Sequence, residues 1–343
     1  MAVAADGVRR PAVMADVARL AGVSLQTVSR VVNGGDHIRP ETRARVQEAI
    51  GRLGYRPNKA ARALATTRTA TIGVIVTEGS LWGPRSVQRT VEQVARQAGY
   101  FVGSVSLDVV ARPELTSAVD HLLSQSVEGV IMIAGYDEAL QLVRQQDVGV
   151  PFVVVMGDVP EGGGDTRDEQ FDAARRATRH LLELGHVEVA HVAGPANWVE
   201  ARAREAGWRA ELAATGLRPA EPLRGDWSAA SGYAVGRRLA ADEAVTAVFA
   251  ANDEMALGVL RALAEAGRAV PGDVSVVGFD DIPSAEYLVP PLTTMRQDMT
   301  ALGRLAVCRL DAAIRGSDEE LPPAPAVELV VRASTGPRRG PAG

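Results

Sequence analysis

The stretch GVSLQTVSRVVNG, from Gly22 to Gly34, places polar side chains at helical spacing. At 100° per residue, Val28, Val31 and Val32 share one face. Gln26, Ser29, Arg30 and Asn33 share the opposite one, with Leu25 and Thr27 on its flanks. An amide and a guanidinium on one outward face can each pair twice with a planar edge: Gln suits adenine and Arg suits guanine. A second polar set is scattered along the chain: Thr77, Asp158, Arg202, Asp226-Trp227, Asn252-Asp253 and Asp280-Asp281. Carboxylates, amides and guanidinium groups bond neighbouring hydroxyls in pairs, and a flat indole covers the C–H face of a pyranose ring. Each of these residues also has a plainer reading. The first set could be a solvated helix face, Asn252 and Asp280 could be caps, Arg202 a surface residue and Trp227 part of a core.

Catalytic chemistry has no comparable pattern. No G-x-G-x-x-G follows a strand and no phosphate loop is present, which disfavours a dehydrogenase or a sugar kinase. His121, His180, His186 and His191 have neither cysteine partners nor H-E-x-x-H spacing. No catalytic residue, cofactor or metal is therefore expected. One cysteine, Cys308, excludes an intramolecular disulfide and points to a reducing compartment. No apolar run approaches the ~20 residues of a membrane span, and the N-terminus offers no signal sequence, so a cytoplasmic location and no membrane partner are expected.

At 343 residues and 46% hydrophobic, the chain is long enough for two or three domains. Its charge is uneven. Residues 1–68 carry a net +7, and the rest carries −12. A small basic head on a large acidic body suggests a polyanion partner for the head alone.

Three short helices must position the head's polar face. Met14, Val17, Ala18 and Ala21 form the first apolar stripe, Gly22-Val23 a turn, and Ser24 the N-cap of the second helix. Val46, Ile50 and Leu53 form the stripe of the third, closed by Gly54. Helix, turn and helix with an amide and an arginine outermost suit a DNA major groove. The segment NKAARALATTRTA, which follows Pro57, is rich in helix formers but too short to be a helix alone.

MADVARLAGVSLQTVSRVVNG and ETRARVQEAIGRLGYRPNKAARALA together resemble the DNA-binding head and hinge of the lactose-repressor (LacI/GalR) family. The resemblance implies base contacts from Leu25, Gln26 and Arg30, with Leu64 as a minor-groove wedge on the hinge. It implies backbone contacts from Ser24, Thr27, Ser29, Asn33 and His37, joined by Arg56, Asn58 and Lys59. Two helix caps depart from the family pattern: Val13 replaces a threonine, and Arg39-Pro40 replaces a serine or threonine. Each missing cap costs ~1 kcal/mol, partly offset at Pro40.

From Thr71 onward, short apolar runs alternate with amphipathic helical stretches. The runs are 71–76, 100–105, 130–133, 152–155, 187–192, 247–250, 274–277 and 327–331. Such runs read as parallel strands buried on both faces. Two sets of them predict two doubly wound α/β lobes, with crossings near Asp158–Asp168 and Thr293–Asp298 and a ligand cleft at the strand ends. GDWSAASGY, ANDEMALGVLRALAEAGRAVPGDVSVVGFDD and PPLTTMRQD resemble the sugar-responsive branch of the same family. That implies a periplasmic-binding-protein-like body whose effector contacts are Thr77, Asp158, Arg202, Trp227, Asn252, Asp280 and Gln297. Met299 stands where that branch has an aromatic residue, and Trp82 is a candidate to compensate.

The expected organisation is a disordered 1–10, a helix-turn-helix domain at 11–57, a hinge at 58–68, a two-lobe body at 69–335 and a disordered tail at 336–343. In the body, 69–160 and 297–322 form one lobe, and 165–294 and 325–335 the other. The expected protein is a homodimeric repressor on a pseudo-palindromic double-stranded DNA operator, released by a mono- or disaccharide. The tail RASTGPRRGPAG has no leucine heptads, so a tetramer is not expected. A nucleoside or nucleobase effector is the alternative within this class, and an extracytoplasmic sugar-binding protein the alternative outside it.

Overall fold

The computed structural model describes residues 10, 12–32, 38–56, 68–77, 79–107, 111–136, 148–156, 166–317 and 321–339. The chain divides into two compact units, Met1–Thr69 and Ala70–Gly343.

In the first unit, α1 (Met14–Ala21), α2 (Leu25–Val32) and α3 (Pro40–Leu53) enclose a core that includes Val17, Val28, Val31, Val46 and Tyr55. Gly22 ends α1 at φ 65°, a left-handed conformation that favours a residue without a Cβ. Two residues later Ser24 Oγ accepts the Thr27 N–H at 3.1 Å and caps α2. Val13 has no polar side chain for α1, but Asp16 Oδ2 accepts the Val13 N–H at 3.1 Å. That is the reciprocal half of a capping box. Leu53, expected in the core, is exposed. The chain reverses at Gly54, the Tyr55 N–H donates to the Ile50 carbonyl at 3.1 Å, and the Tyr55 ring is buried instead.

The second unit contains two lobes. The first holds β1 (Thr71–Thr77), α4 (Trp82–Gln97), β2 (Phe101–Leu107), α5 (Arg112–Ser124), β3 (Val130–Ile133) and β4 (Phe152–Val155). Its sheet runs β2-β1-β3-β4, all parallel. Val74, Ile75 and Val76 of β1 and every residue of β3 are fully buried, as expected for central strands under helices. Strand β2 is not: it has one neighbour, and Phe101 is 55% exposed.

The second lobe holds α6 (Thr166–Glu183), β5 (Ala190–Ala193), α7 (Val199–Ala214), β6 (Leu223–Arg224), α8 (Ala229–Ala240), β7 (Ala247–Ala250), α9 (Asp253–Glu265), β8 (Ser275–Asp280), β9 (Thr293–Arg296) and β10 (Glu328–Val330). Strand order is β10-β9-β8-β7-β5-β6, parallel except that β10 runs antiparallel to β9. The sheet is therefore mixed rather than wholly parallel. Strand β5 starts at Ala190 rather than Val187, which is exposed.

Helix α10 (Met299–Arg315) returns to the first lobe, where Met299, Ala306, Val307 and Leu310 pack with Val74, Val87 and Val91. The chain thus passes between lobes after β4, at Gln297-Asp298, and again between α10 and β10. Most of the first expected crossing, 158–168, lies outside the described residues. The second was expected from Thr293, but Thr293 pairs with Val277 and belongs to β9. Residues 336–339, the described part of the segment expected to be disordered, are anchored: the Gly336 N–H donates to Ser275 Oγ at 3.0 Å, and the Arg338 N–H to the Leu184 carbonyl at 2.9 Å. Among the described residues, no helix is long and apolar enough to cross a membrane.

Candidate functional site

On the head, burial of Val28 and Val31 turns the polar face of α2 outward. Ser24, Leu25, Gln26 and Arg30 are exposed, and Thr27 and Ser29 are half-buried. Leu25, an apolar side chain on a polar face, is 53% exposed. Ser24 Oγ and Thr27 Oγ1 stand 2.9 Å apart and share a hydrogen bond, which orders the start of this face. Arg56 is exposed beyond α3. Asn33, His37, Asn58, Lys59 and Leu64 lie outside the described residues.

In the body, a pocket opens between the lobes at the carboxyl ends of the strands, where open α/β sheets take their ligands. Leu81, Trp82, Met156 and Met299 line it from the first lobe. Trp198, Glu200, Arg204, Trp227, Asn252, Glu254 and Asp280 line it from the second. It adjoins a second space lined by Gln170, Gln297 and Asp298 among others, with Met156, Glu200, Arg204 and Met299 common to both.

The lobes touch beside this pocket. The Val199 N–H donates to the Gly135 carbonyl at 2.8 Å, and the Tyr136 ring meets Trp198 edge-on at 4.8 Å. Trp198 in turn meets Trp227 at 5.3 Å. Trp227 lies so close over Gly194 that a Cβ there would collide with the indole. Met156 (φ 65°), Trp227 (φ 74°) and Asp280 (φ 115°) all hold left-handed backbones without being glycine. Each such residue costs ~1–3 kcal/mol, a strain that clusters at binding sites.

Arg204 organises the polar floor. Its Nε donates to Gln170 Oε1 at 2.8 Å, Nη1 donates to the Ala251 carbonyl, and Nη2 lies 3.8 Å from Asp280 Oδ1. The guanidinium sits 3.8 Å over the Phe279 ring. Gln297 Nε2 donates to Asp280 Oδ1 at 2.7 Å, and Gln170 Nε2 donates to Gln297 Oε1 at 2.7 Å, which closes the chain. Burial pushes the Asp280 carboxyl up to about 6 against the opposing pull of Arg204. Burial likewise raises Glu200 and Glu254 and lowers Arg204. Asn252 does two jobs: Oδ1 caps α9 by accepting the Met255 N–H at 2.9 Å, and Nδ2 donates to the Trp227 carbonyl at 3.0 Å.

Of the expected effector residues, Trp227, Asn252 and Asp280 meet in the first space and Gln297 in the second. Two do not join them. Arg202 is exposed and donates to the Ala196 carbonyl at 3.1 Å, because two residues along a helix is about 200° of rotation. Arg204 takes the inward place. Thr77 is fully buried and donates to the Ile133 carbonyl at 3.3 Å, so its hydroxyl serves the sheet rather than the cleft. Asp158 lies outside the described residues. Trp82 does line the pocket with Met299. Trp198, Glu200, Arg204 and Glu254 were not anticipated. The usable signals were Arg204 at i−4 from buried Trp208 and the position of GPANW at a strand's carboxyl end.

Flat rings and a preformed polar floor between two lobes that meet around them are features suited to a polar ligand. Residues 13–58 match the family "Bacterial regulatory proteins, lacI family", and residues 178–335 match "Periplasmic binding protein-like domain". The chain is 38% identical over 308 residues to the lactose operon repressor of Escherichia coli (strain K12), covering 88% of this chain and 84% of that protein. It is 37% identical over 327 residues to the HTH-type transcriptional regulator CelR of Thermobifida fusca, covering 91% and 94%. Among solved structures, a lac repressor dimer bound to operator and the anti-inducer ONPF matches with a TM-score of 0.85 at 35% identity, over 95% of this chain and all of that one. A CelR–cellobiose complex matches with a TM-score of 0.68 at 33% identity, over 94% and 99%. With head and body both matched over most of its length, this chain belongs to the lacI family of bacterial regulatory proteins.

Proposed function

We propose that the chain is a cytoplasmic transcriptional repressor, with no enzymatic activity, that binds a pseudo-palindromic operator as a homodimer. A small sugar bound between the lobes releases it. Leu25, Gln26 and Arg30 read base edges, and Leu64 wedges the minor groove. Ser24, Thr27, Ser29, Asn33, His37, Arg56, Asn58 and Lys59 hold the DNA backbone. Residues 11–57 are the reading domain, 58–68 the hinge and 69–335 the effector and dimer body.

One observation carries the sugar reading. Three indoles and a hydrogen-bonded carboxylate–guanidinium–amide chain line one cleft between two lobes. Trp82, Trp198, Arg204, Trp227, Asn252 and Asp280 contact the sugar, with Gln297 holding Asp280 in place. Asp158 is proposed from its motif alone. Closure of the lobes then changes the spacing of the heads. A coupling of ~1–3 kcal/mol weakens operator binding ~5- to 150-fold.

The test is direct. Select the operator from a random duplex pool with the full-length protein, then measure release against cellobiose, lactose and glucose. Release by a sugar, abolished in Trp227→Ala, supports the reading. A sugar that tightens operator binding reverses the sign of the switch, and release by hypoxanthine alone replaces the effector class.

A further inference from the structure

Glu200, the second residue of α7, lies where the two spaces of the cleft meet. It is 7% exposed, and among the described residues neither carboxylate oxygen has a hydrogen-bond partner from another residue. A buried carboxylate keeps its charge only with donors around it. Among the described residues, none is supplied. The Arg204 guanidinium donates instead to Gln170 and to the Ala251 carbonyl, and lies 3.8 Å from Asp280. Two further groups around the same pocket lack partners: the indole N–H groups of Trp198 and Trp227, both buried. The walls of one cleft thus hold two acceptor oxygens and two N–H donors, each sealed from solvent and without a partner among the described residues.

We propose that Glu200 selects the effector by accepting hydrogen bonds from two adjacent hydroxyls of a neutral sugar, and that it excludes sugar phosphates and uronates. The inference rests on the cleft being the effector site. A hydroxyl donates one proton and accepts at its lone pairs, so a vicinal diol can satisfy both Glu200 oxygens and still accept from the indoles. An ammonium only donates and leaves the indole N–H groups bare. An anion meets Glu200 and Glu254 with Arg204 already engaged by Asp280. Glu200 also borders Gly135 across the lobe contact: a Cβ at Gly135 would stand 2.5 Å from Glu200 Oε2. The carboxylate is therefore packed in place rather than swinging free, so its two oxygens recognise a pair of hydroxyls in one orientation.

The test uses the full chain in calorimetry and thermal shift at ligand concentrations up to ~20 mM. The ligands are glucose, cellobiose and lactose, with glucose 6-phosphate and glucuronate as anionic matches, glucosamine as the cation, and hypoxanthine and guanosine. At least one neutral sugar is expected to bind while both anions fail. Glu200→Gln is expected to weaken that sugar ~10- to 100-fold, since a charge-assisted hydrogen bond is lost. Glu200→Ser serves as a second variant, with folding checked by circular dichroism. Binding of a neutral sugar that both variants leave within about twofold overturns the inference and leaves the sugar reading standing. Binding of either anion by the wild-type chain overturns it too, and needs no variant. Tighter binding of glucosamine than of glucose replaces the diol with a cation. Binding of hypoxanthine or guanosine alone, or silence across the set, overturns the inference and the sugar reading together.

Discussion

Arg202 and Arg204 stand two residues apart on α7, and replacing each with methionine should separate a surface residue from a structural one. Arg204 is 4% exposed. Methionine keeps much of its stem volume but deletes every donor. Two buried acceptors are then orphaned, Gln170 Oε1 and the Ala251 carbonyl, at ~1–3 kcal/mol each. Asp280 also loses the cation paired with it, a change that can cost ~3–5 kcal/mol when the remaining charge stays buried. These losses overlap, because Asp280, already at about 6, sheds its charge by binding a proton. The expected net cost is ~3–5 kcal/mol in the unfolding of the body, against less than ~0.5 kcal/mol for exposed Arg202→Met.

The pH dependence has a definite sign. Without Arg204 the folded-state pKa of Asp280 rises further above its unfolded value, so the folded chain holds a proton that the unfolded chain gives up. That stabilisation is present at low pH and is lost as pH rises through the folded pKa. Arg204→Met should therefore look worse at pH 8 than at pH 5 relative to wild type. Urea unfolding of the full-length protein at both pH values measures the cost, and calorimetry with the bound sugar measures the site. An Arg204→Met variant within ~1 kcal/mol of wild type would refute the account. So would sugar binding that depends on Arg202 instead.

Gln26→Ala and Arg30→Ala should each cost ~1–3 kcal/mol in operator binding measured by anisotropy, while binding to random DNA stays near its wild-type strength. Arg56→Ala should weaken all sequences alike and flatten the salt dependence; equal losses on operator and random DNA from Arg30→Ala would remove it from the reading face. His191 is buried, donates through Nδ1 to the Phe249 carbonyl at 2.9 Å, and is lowered by burial to about 4. The unfolded chain takes up that proton first, so this histidine withdraws up to ~3 kcal/mol of stability as pH falls from about 6.5 to 4. Asp280 acts in the opposite direction, so His191→Phe should raise stability at pH 5 relative to pH 7 and Asp280→Asn should lower it; matching shifts would contradict both assignments. Light scattering at micromolar concentration should give the mass of two subunits, and a mass of four would exclude the dimer.

The outward polar face of α2 was legible because valines at helical spacing left only one way for Gln26 and Arg30 to point, and Gly22 and Ser24 marked the turn and cap. The central strands were legible because burial on both faces leaves unbroken apolar runs. Strand β9 was hidden by chemistry: Thr293 and Thr294 are fully buried, but Thr294 Oγ1 is satisfied by Asp253 Oδ1 at 2.6 Å, a long-range bond no local pattern announces. Residues 202–204, Arg-Ala-Arg, offer the same side chain on two faces of one helix, and only the burial of Trp208 one turn later tells them apart. Glu200 was invisible for the opposite reason. A carboxylate near a helix start reads as a dipole partner, and only packing against Gly135 shows that it faces a cleft.

Three of the four tryptophans, Trp82, Trp198 and Trp227, line a single pocket. The fourth, Trp208, is fully buried elsewhere and donates to the Val189 carbonyl at 3.0 Å. The molecule thus carries its own optical gauge. Three emitters sense whatever enters the cleft, and the fourth provides a steady background. Tyr136, 4.8 Å from Trp198, is close enough to pass its excitation energy to that ring. Because Tyr136 and Trp198 belong to opposite lobes, parting of the lobes there would cut the energy that this tyrosine passes to that indole. Native ultraviolet emission, without any attached dye, can thus follow the cleft in real time.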